Sequence, residues 1–349
     1  MPVFSKIKDF LSRHRNKFVV GGIIITGSYF LTRYATHRLR EWHEKEALEF
    51  IERNRKQIHF ESINRTCNQT IINLSSSLLD KIYETINTDK IIEALKTNPD
   101  NKIELWNDLK VQVFTKAGCI VYCLVMLVIT LKLQLNIVGG YLYKDPTSVA
   151  ADMQEKYLSL CQEFLNSGVE QIYHIMEVQV KKLLKNIDLK KEMKLSDLEA
   201  IFWSLQSSLD ASKEDPVSHL KSYILERDPP EGEDVYNSML RDTADLLESE
   251  EVKYLVIHHI NTAFVLLGDQ LSEFFNQTQP KITEVSLKSQ EGPDQFQNPF
   301  MNKKPLAKLV PILNGLLSKQ SLPHNLTHHL ITNEKLQMLC ANVYESLLA

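Results

Sequence analysis

His324 and His328 stand four residues apart with His329 beside them, so on a helix two imidazoles would share a face, as metal ligands often do. No cysteine or clear carboxylate lies near enough in sequence to complete a ligand set, and surface or capping histidines are the simpler reading. His258 and His259 interrupt an apolar run, and at least one should face solvent. Glu248, Glu250 and Glu251 read as a solvated face, since general acid–base work needs a tuned carboxyl that spacing does not supply. Gly139-Gly140 follows a long apolar stretch, where glycine commonly ends a helix. GxGxxG, GxxxxGK with a following Ser or Thr, GxSxG and HExxH are all missing from the chain. The expectation is a protein without catalytic residues, cofactor or metal.

Trp106 invites a different chemistry. It sits just after Pro99 near the start of a long helical pattern, between Lys102 and Lys110. Core packing is one reading. The other is a groove floored by Trp106 with Leu95 from the preceding helix and rimmed by lysines, which would take an amphipathic helix with acidic flanks.

The elements that must position these residues are helical. Eleven glycines in 349 residues fall well below the ~7% of an average chain, which disfavours tight turns and phosphate-cradling loops. The net charge of −4 creates no strong field for nucleic acid. Cys67, Cys119, Cys123, Cys161 and Cys340 are scattered, odd in number and without CxxC spacing, so they read as reduced, buried thiols of an intracellular protein. The Asn-x-Ser/Thr sequons at Asn64, Asn68, Asn73, Asn276 and Asn325 are not expected to be glycosylated there.

Lys6, Lys8, Arg13, Arg15 and Lys17 precede an uncharged stretch from Phe18 to Thr32, and Arg33, Arg38 and Arg40 follow it. Phe18, Val19, Val20, Ile23, Ile24, Ile25, Tyr29, Phe30 and Leu31 would form a short membrane anchor. Its span of about 22 Å is stretched by interfacial tyrosines and snorkelling lysines and arginines. A cleaved signal peptide and a surface-lying or buried helix remain alternatives, and basic residues on both sides leave the orientation open. The organisation expected is residues 1–40 as basic terminus and anchor, then residues 41–349 as one soluble helical domain.

Arg33 to Lys56 reads as a charged helix. Thr88 and Asp89 should cap a short helix to Lys96, stopped by Pro99. A long helix is expected from about Lys102 to Gln134. Its half from Ala117 to Leu131 is apolar all round, which suits the centre of a bundle better than a second span of only fifteen residues. Met153 to Ile187 reads as another long helix, and Ser196 with Glu199 as a capping box. Asp228 to Asp234 should be a surface loop, Val252 to Phe275 a strongly apolar helix, and Ser289 to Pro299 a polar connection. Helices over Leu306 to Lys319, bent at Pro311, and Asn333 to Leu348 complete the chain. No strand signal or repeat is evident. The fold class is all-α, an elongated helical bundle on a single N-terminal membrane anchor.

Five ordered motifs then resemble one family. His59-Phe60-Glu61-Ser62 with Arg65-Thr66-Cys67-Asn68, the run from Asn101 to Lys110, Gln134 to Tyr141, Pro305 to Gly315, and Ala341 to Glu345 are similar to the peroxisomal biogenesis factor 3 (peroxin three) family. That resemblance implies a single-pass peroxisomal membrane protein with the bulk of its chain in the cytosol. It implies a docking receptor for the import chaperone peroxin nineteen, whose N-terminal helix enters an apolar groove, so that client membrane proteins are inserted. The implied groove residues are Leu95, Lys96, Lys102, Trp106, Leu109, Asn136 and Leu142, with Trp106 central. A membrane-bound enzyme and a general organelle-membrane tether or scaffold, binding lipid or inheritance factors, are the rival functions.

Overall fold

The computed structural model describes residues 15–225, 234–276 and 302–348. The expected loop from Asp228 to Asp234, apart from Asp234 itself, and the polar connection from Ser289 to Pro299 lie outside them.

The expected charged helix is part of one element, α1 (Arg15–Thr85). The backbone of the expected anchor, Phe18 to Leu31, belongs to it, but its side chains are outside what is described. The chain divides into two compact units, the first ending at His59 and the second beginning at Phe60. In the first, charge pairs one turn apart (Arg40 with Glu44, Arg53 with Glu49, Lys56 with Glu52) decorate a solvated helix surface.

From Phe60 onward the chain is a helical bundle. α2 (Thr88–Lys96) leads to α3 (Lys102–Lys144), which occupies the centre. Around it follow α4 (Ala151–Leu158), α5 (Leu160–Glu163) and α6 (Val169–Leu184). After them come α7 (Leu195–Asp210), α8 (Leu220–Ile224), α9 (Val235–Glu248) and α10 (Glu250–Asn276). The chain ends in α11 (Leu306–Leu316), α12 (Leu322–Thr332) and α13 (Glu334–Leu348). α3 packs against α2, α6, α9, α10, α11, α12 and α13. Its apolar stretch is long enough to cross a membrane, yet it is wholly buried inside the bundle, as an all-round apolar helix can be when other helices supply its environment. All five cysteines are buried, free thiols.

Several local expectations are corrected. Gly139 and Gly140 do not end α3, which continues to Lys144. Both are buried where other chain segments press on the helix: a Cβ on Gly140 would lie 2.9 Å from Leu347 Cβ, and one on Gly139 would run into Ile63. The pair is a packing notch, tolerated mid-helix because burial outweighs the intrinsic cost of glycine. Met153 to Ile187 is not one helix; it breaks at Ser159 and passes through a π-turn at Phe164–Gly168 before α6. The cap of α7 is not Ser196: the helix begins one residue earlier, and Asp197 Oδ2 accepts the Lys194 backbone N–H at 2.8 Å. A two-residue antiparallel pair, β1 (Glu192–Met193) with β2 (Lys304–Pro305), ties the start of α7 to the start of α11. Strands that short carry no alternation to read. α12 is a helix that the periodicity did not announce.

Gly140→Ala should lower stability by about 1–3 kcal/mol through overpacking against α13. Thermal denaturation of Gly140→Ala, Leu347→Ala and the double variant checks it, since trimming Leu347 should recover part of the loss.

Candidate partner-binding groove

The groove begins with a short helix and a tight turn. Asn87 caps α2, its Oδ1 accepting the Lys90 N–H at 3.1 Å. Thr88, expected to share that role with Asp89, is buried and used elsewhere. At the other end Thr97 Oγ1 donates to Ala94 O at 2.7 Å. Asn98 then adopts φ 51°, the left-handed conformation that asparagine tolerates better than most residues, and Pro99 prevents the helix from continuing. The chain reverses into α3, so that α2 and the first turns of α3 lie side by side.

Between them Ile92, Leu95, Lys96, Lys102, Trp106 and Leu109 line a cavity of about 320 Å³, closed by Pro311 and Asn314 from α11. Trp106 is half-buried: it packs on the core yet presents a face to the cavity. Leu109 is buried beneath it. Lys96 and Lys102 are exposed at the edge. Lys102 Nζ donates to the neutral Asn98 Oδ1 at 3.3 Å, and neither lysine is ion-paired with a carboxylate among the described residues. The arrangement has an apolar floor, an aromatic centre and cationic edges, which suits an amphipathic helix carrying acidic residues.

A buried polar knot holds the walls in register. Lys116 Nζ donates to Thr88 Oγ1 at 3.3 Å and to Asn314 Oδ1 at 3.5 Å, and Thr88 Oγ1 itself donates to Asn314 Oδ1 at 3.1 Å. The same ammonium lies 4.6 Å from the centroid of the Tyr83 ring, a cation–π contact. Burial lowers the Lys116 pKa, opposed by the nearby Asp89 carboxylate. Tyr83 donates to Leu317 O at 2.7 Å, and burial pushes its own pKa up to about 12. One side chain of α3 thus ties the first residue of α2 to the groove-lining Asn314 of α11.

Five of the seven expected residues therefore converge: Leu95, Lys96, Lys102, Trp106 and Leu109. Asn136 and Leu142 do not line this cavity. They lie 30 and 36 residues beyond Trp106 on the same helix, about 45 and 54 Å away at 1.5 Å per residue. Asn136 is buried and its Nδ2 donates to Lys132 O at 2.7 Å; Leu142 packs on the core. Ile92, Pro311 and Asn314 were not anticipated. Ile92 was legible as one turn before Leu95 and Lys96 on α2, whereas α11 joins the groove only through tertiary packing.

Among the described residues no group of three or more His, Cys, Asp or Glu is brought together as a metal-ligand set. His324 and His328 do share a face of α12, beside Ile72, Leu79 and Ile331. His258 is half-exposed, but His259 is fully buried with neither ring nitrogen hydrogen-bonded. Burial, reinforced by His258, His329 and Lys335, lowers its pKa to about 4. The unfolded chain takes up this proton near pH 6.5 and the folded protein only near pH 4. His259 is therefore compatible with full stability above pH 6.5 and removes stability progressively as pH falls towards 4. His259→Leu should flatten that decline, which urea unfolding measured from pH 7 to 4 would report as a smaller loss than in the unaltered protein.

A family model described as Peroxin-3 matches residues 9–101, 97–145 and 140–346. Peroxisomal biogenesis factor 3 of Rattus norvegicus is 32% identical over 97% of this chain and 96% of its own length. The protein of the same name from Homo sapiens is 31% identical over 97% of this chain and 96% of its own. Peroxisome biogenesis protein 3-2 of Arabidopsis thaliana is 22% identical over 87% of this chain and 88% of its own.

Proposed function

The chain belongs to the Peroxin-3 family, and from that premise we propose that it acts in peroxisome biogenesis as a membrane docking receptor for the chaperone peroxin nineteen. The apolar stretch from Phe18 to Thr32 anchors it as a single-pass protein of the peroxisomal membrane, with the bulk of the chain in the cytosol. An N-terminal helix of the chaperone lies in the groove between α2, α3 and α11, and client membrane proteins are delivered by that contact. The reaction is non-covalent.

The observation that carries this reading is the convergence of Leu95, Trp106 and Leu109 on one open apolar cavity edged by Lys96 and Lys102. Trp106 supplies a large, rigid aromatic surface at low entropic cost, and centrally placed residues of this kind typically dominate helix-in-groove affinity. Leu95 and Ile92 form the opposite wall, where apolar residues of the incoming helix spaced three and four apart would pack. Lys96 and Lys102 pair acidic groups on the partner. Being solvent-exposed, they act more on association rate and orientation than on affinity.

A labelled helix from the N-terminal region of peroxin nineteen should bind the full-length protein in detergent saturably, as read by fluorescence anisotropy. Trp106→Ala should weaken it by at least about tenfold, in line with ~2 kcal/mol or more for a hot-spot aromatic, with unchanged helical circular dichroism. Loss of helicity in that variant would make Trp106 a core residue. Absence of binding by folded, unaltered protein would remove the docking role.

A further inference from the structure

A second cavity, sharing no lining residue with the Trp106 groove, lies between α7 and α10. Phe114 of α3, Phe202 of α7 and Phe264 of α10 form a stacked ladder, with ring centroids 5.5 and 5.2 Å apart. Phe202 and Phe264 floor a cavity of about 190 Å³ lined also by Trp203, Val265 and Leu271. Trp203 and Val265 are each 57% exposed and stand at the mouth of this cavity.

The cavity is rich in acceptors and poor in cations. Glu199 and Asp269 line it and neither carboxylate has a cationic partner among the described residues. Asn261 Oδ1 is buried without a hydrogen-bond partner. Gln206 is only 6% exposed, lines the same cavity, and makes no side-chain hydrogen bond among the described residues. No lysine or arginine contributes to the lining. Gly268 keeps the wall open: a Cβ there would come within 3.3 Å of Glu199 Oε1. A buried acceptor without a donor costs free energy unless something supplies one, and here such an acceptor stands with two carboxylates beside aromatic faces. A guanidinium provides five planar donors and a full charge, and it stacks on aromatic rings.

The cavity is also the end of a track. Tyr254, Ile257, Asn261, Val265 and Gly268 recur at three- and four-residue spacing along one face of α10, and Tyr254 and Ile257 are exposed. That periodicity presents a face about 20 Å long at 1.5 Å per residue, the length of a four-turn helix, with Tyr254, Ile257 and Val265 as its exposed apolar side chains. We propose that this face docks a basic amphipathic helix of a protein partner. One arginine of that helix enters the cavity between Trp203, Glu199, Asp269 and Asn261, while its apolar side covers Val265, Ile257 and Tyr254. The required charge is opposite to that suited to the Trp106 groove, so the two surfaces select different ligands.

The test uses the full-length protein in detergent with its three tryptophans replaced biosynthetically by 5-fluorotryptophan, so that Trp42, Trp106 and Trp203 report separately by fluorine NMR. Trp203→Phe assigns its resonance. The ligand is a fourteen-residue alanine–leucine helix carrying arginines four residues apart. The same peptide with citrulline in place of arginine keeps the shape and removes the charge. The Trp203 resonance should move saturably with the arginine peptide while that of Trp106 stays fixed. Citrulline, or Glu199→Gln with Asp269→Asn in a protein of unchanged circular dichroism, should each weaken binding at least about tenfold, as expected when a charge-assisted pair is lost. A Trp203 resonance that does not respond, or responds equally to citrulline or in the double variant, overturns the proposal. A Trp203 resonance that shifts on dilution without peptide also overturns it, by making a second copy of the chain the occupant.

Discussion

A helix enclosed on every side over most of 43 residues must hide not only its apolar side chains but also its charges. α3 carries three buried lysines, Lys110, Lys116 and Lys132, and burying an ammonium is tolerable only when its donors are matched. Lys110 Nζ donates to Leu184 O and Ile187 O at 3.2 and 2.7 Å, meeting carbonyls at the C-terminal end of α6, where a cation is favoured by the helix dipole. Lys116 binds Thr88 and Asn314. Lys132 donates to Asn68 Oδ1 at 2.8 Å. Each lysine accepts only one axial setting of the helix beside it. These contacts link α3 to the part of α1 beyond Phe60, to the start of α2, to the end of α6 and to α11.

That constraint reaches the groove directly. α2 has nine residues, fewer than an isolated helix needs to persist in water, so its place depends on packing and on the knot at its first residue. The shape of the groove therefore depends on Lys116, Thr88 and Asn314, behind the wall, as well as on Trp106 at its centre. The floor from α3 and a small helix held by packing and by this polar junction define the groove from within the chain itself.

The two apolar openings differ in charge for a structural reason. The Trp106 groove lies beside the α2–α3 turn, where Lys96 ends one helix and Lys102 starts the next. The cavity under Trp203 lies between the middles of α7 and α10, whose outward residues there include Glu199 and Asp269. A net charge of −4 thus conceals two local fields of opposite sign, and local fields guide encounter.

Much was legible because helical periodicity is a local property. The all-α class, the all-round apolar stretch Ala117 to Leu131, the turn at Pro99 and a floor of Trp106 with Leu95 edged by lysines follow from residues close together in the chain, whereas Lys96 and Leu109 joined that floor through the family resemblance. Asn136 and Leu142 were grouped with them by family resemblance, and the length of α3 separates them. Gly139-Gly140 looked like a helix end because a sequence does not show Ile63 and Leu347 pressing on those positions. The contributions of Pro311 and Asn314, the register of Lys116 and the opening under Trp203 each join residues far apart in the chain. Sequence determined which segments are helices and which of their faces are apolar, through side-chain spacing. Tertiary structure alone decided which of those faces are covered, because that depends on which helices, distant in the chain, pack alongside α3.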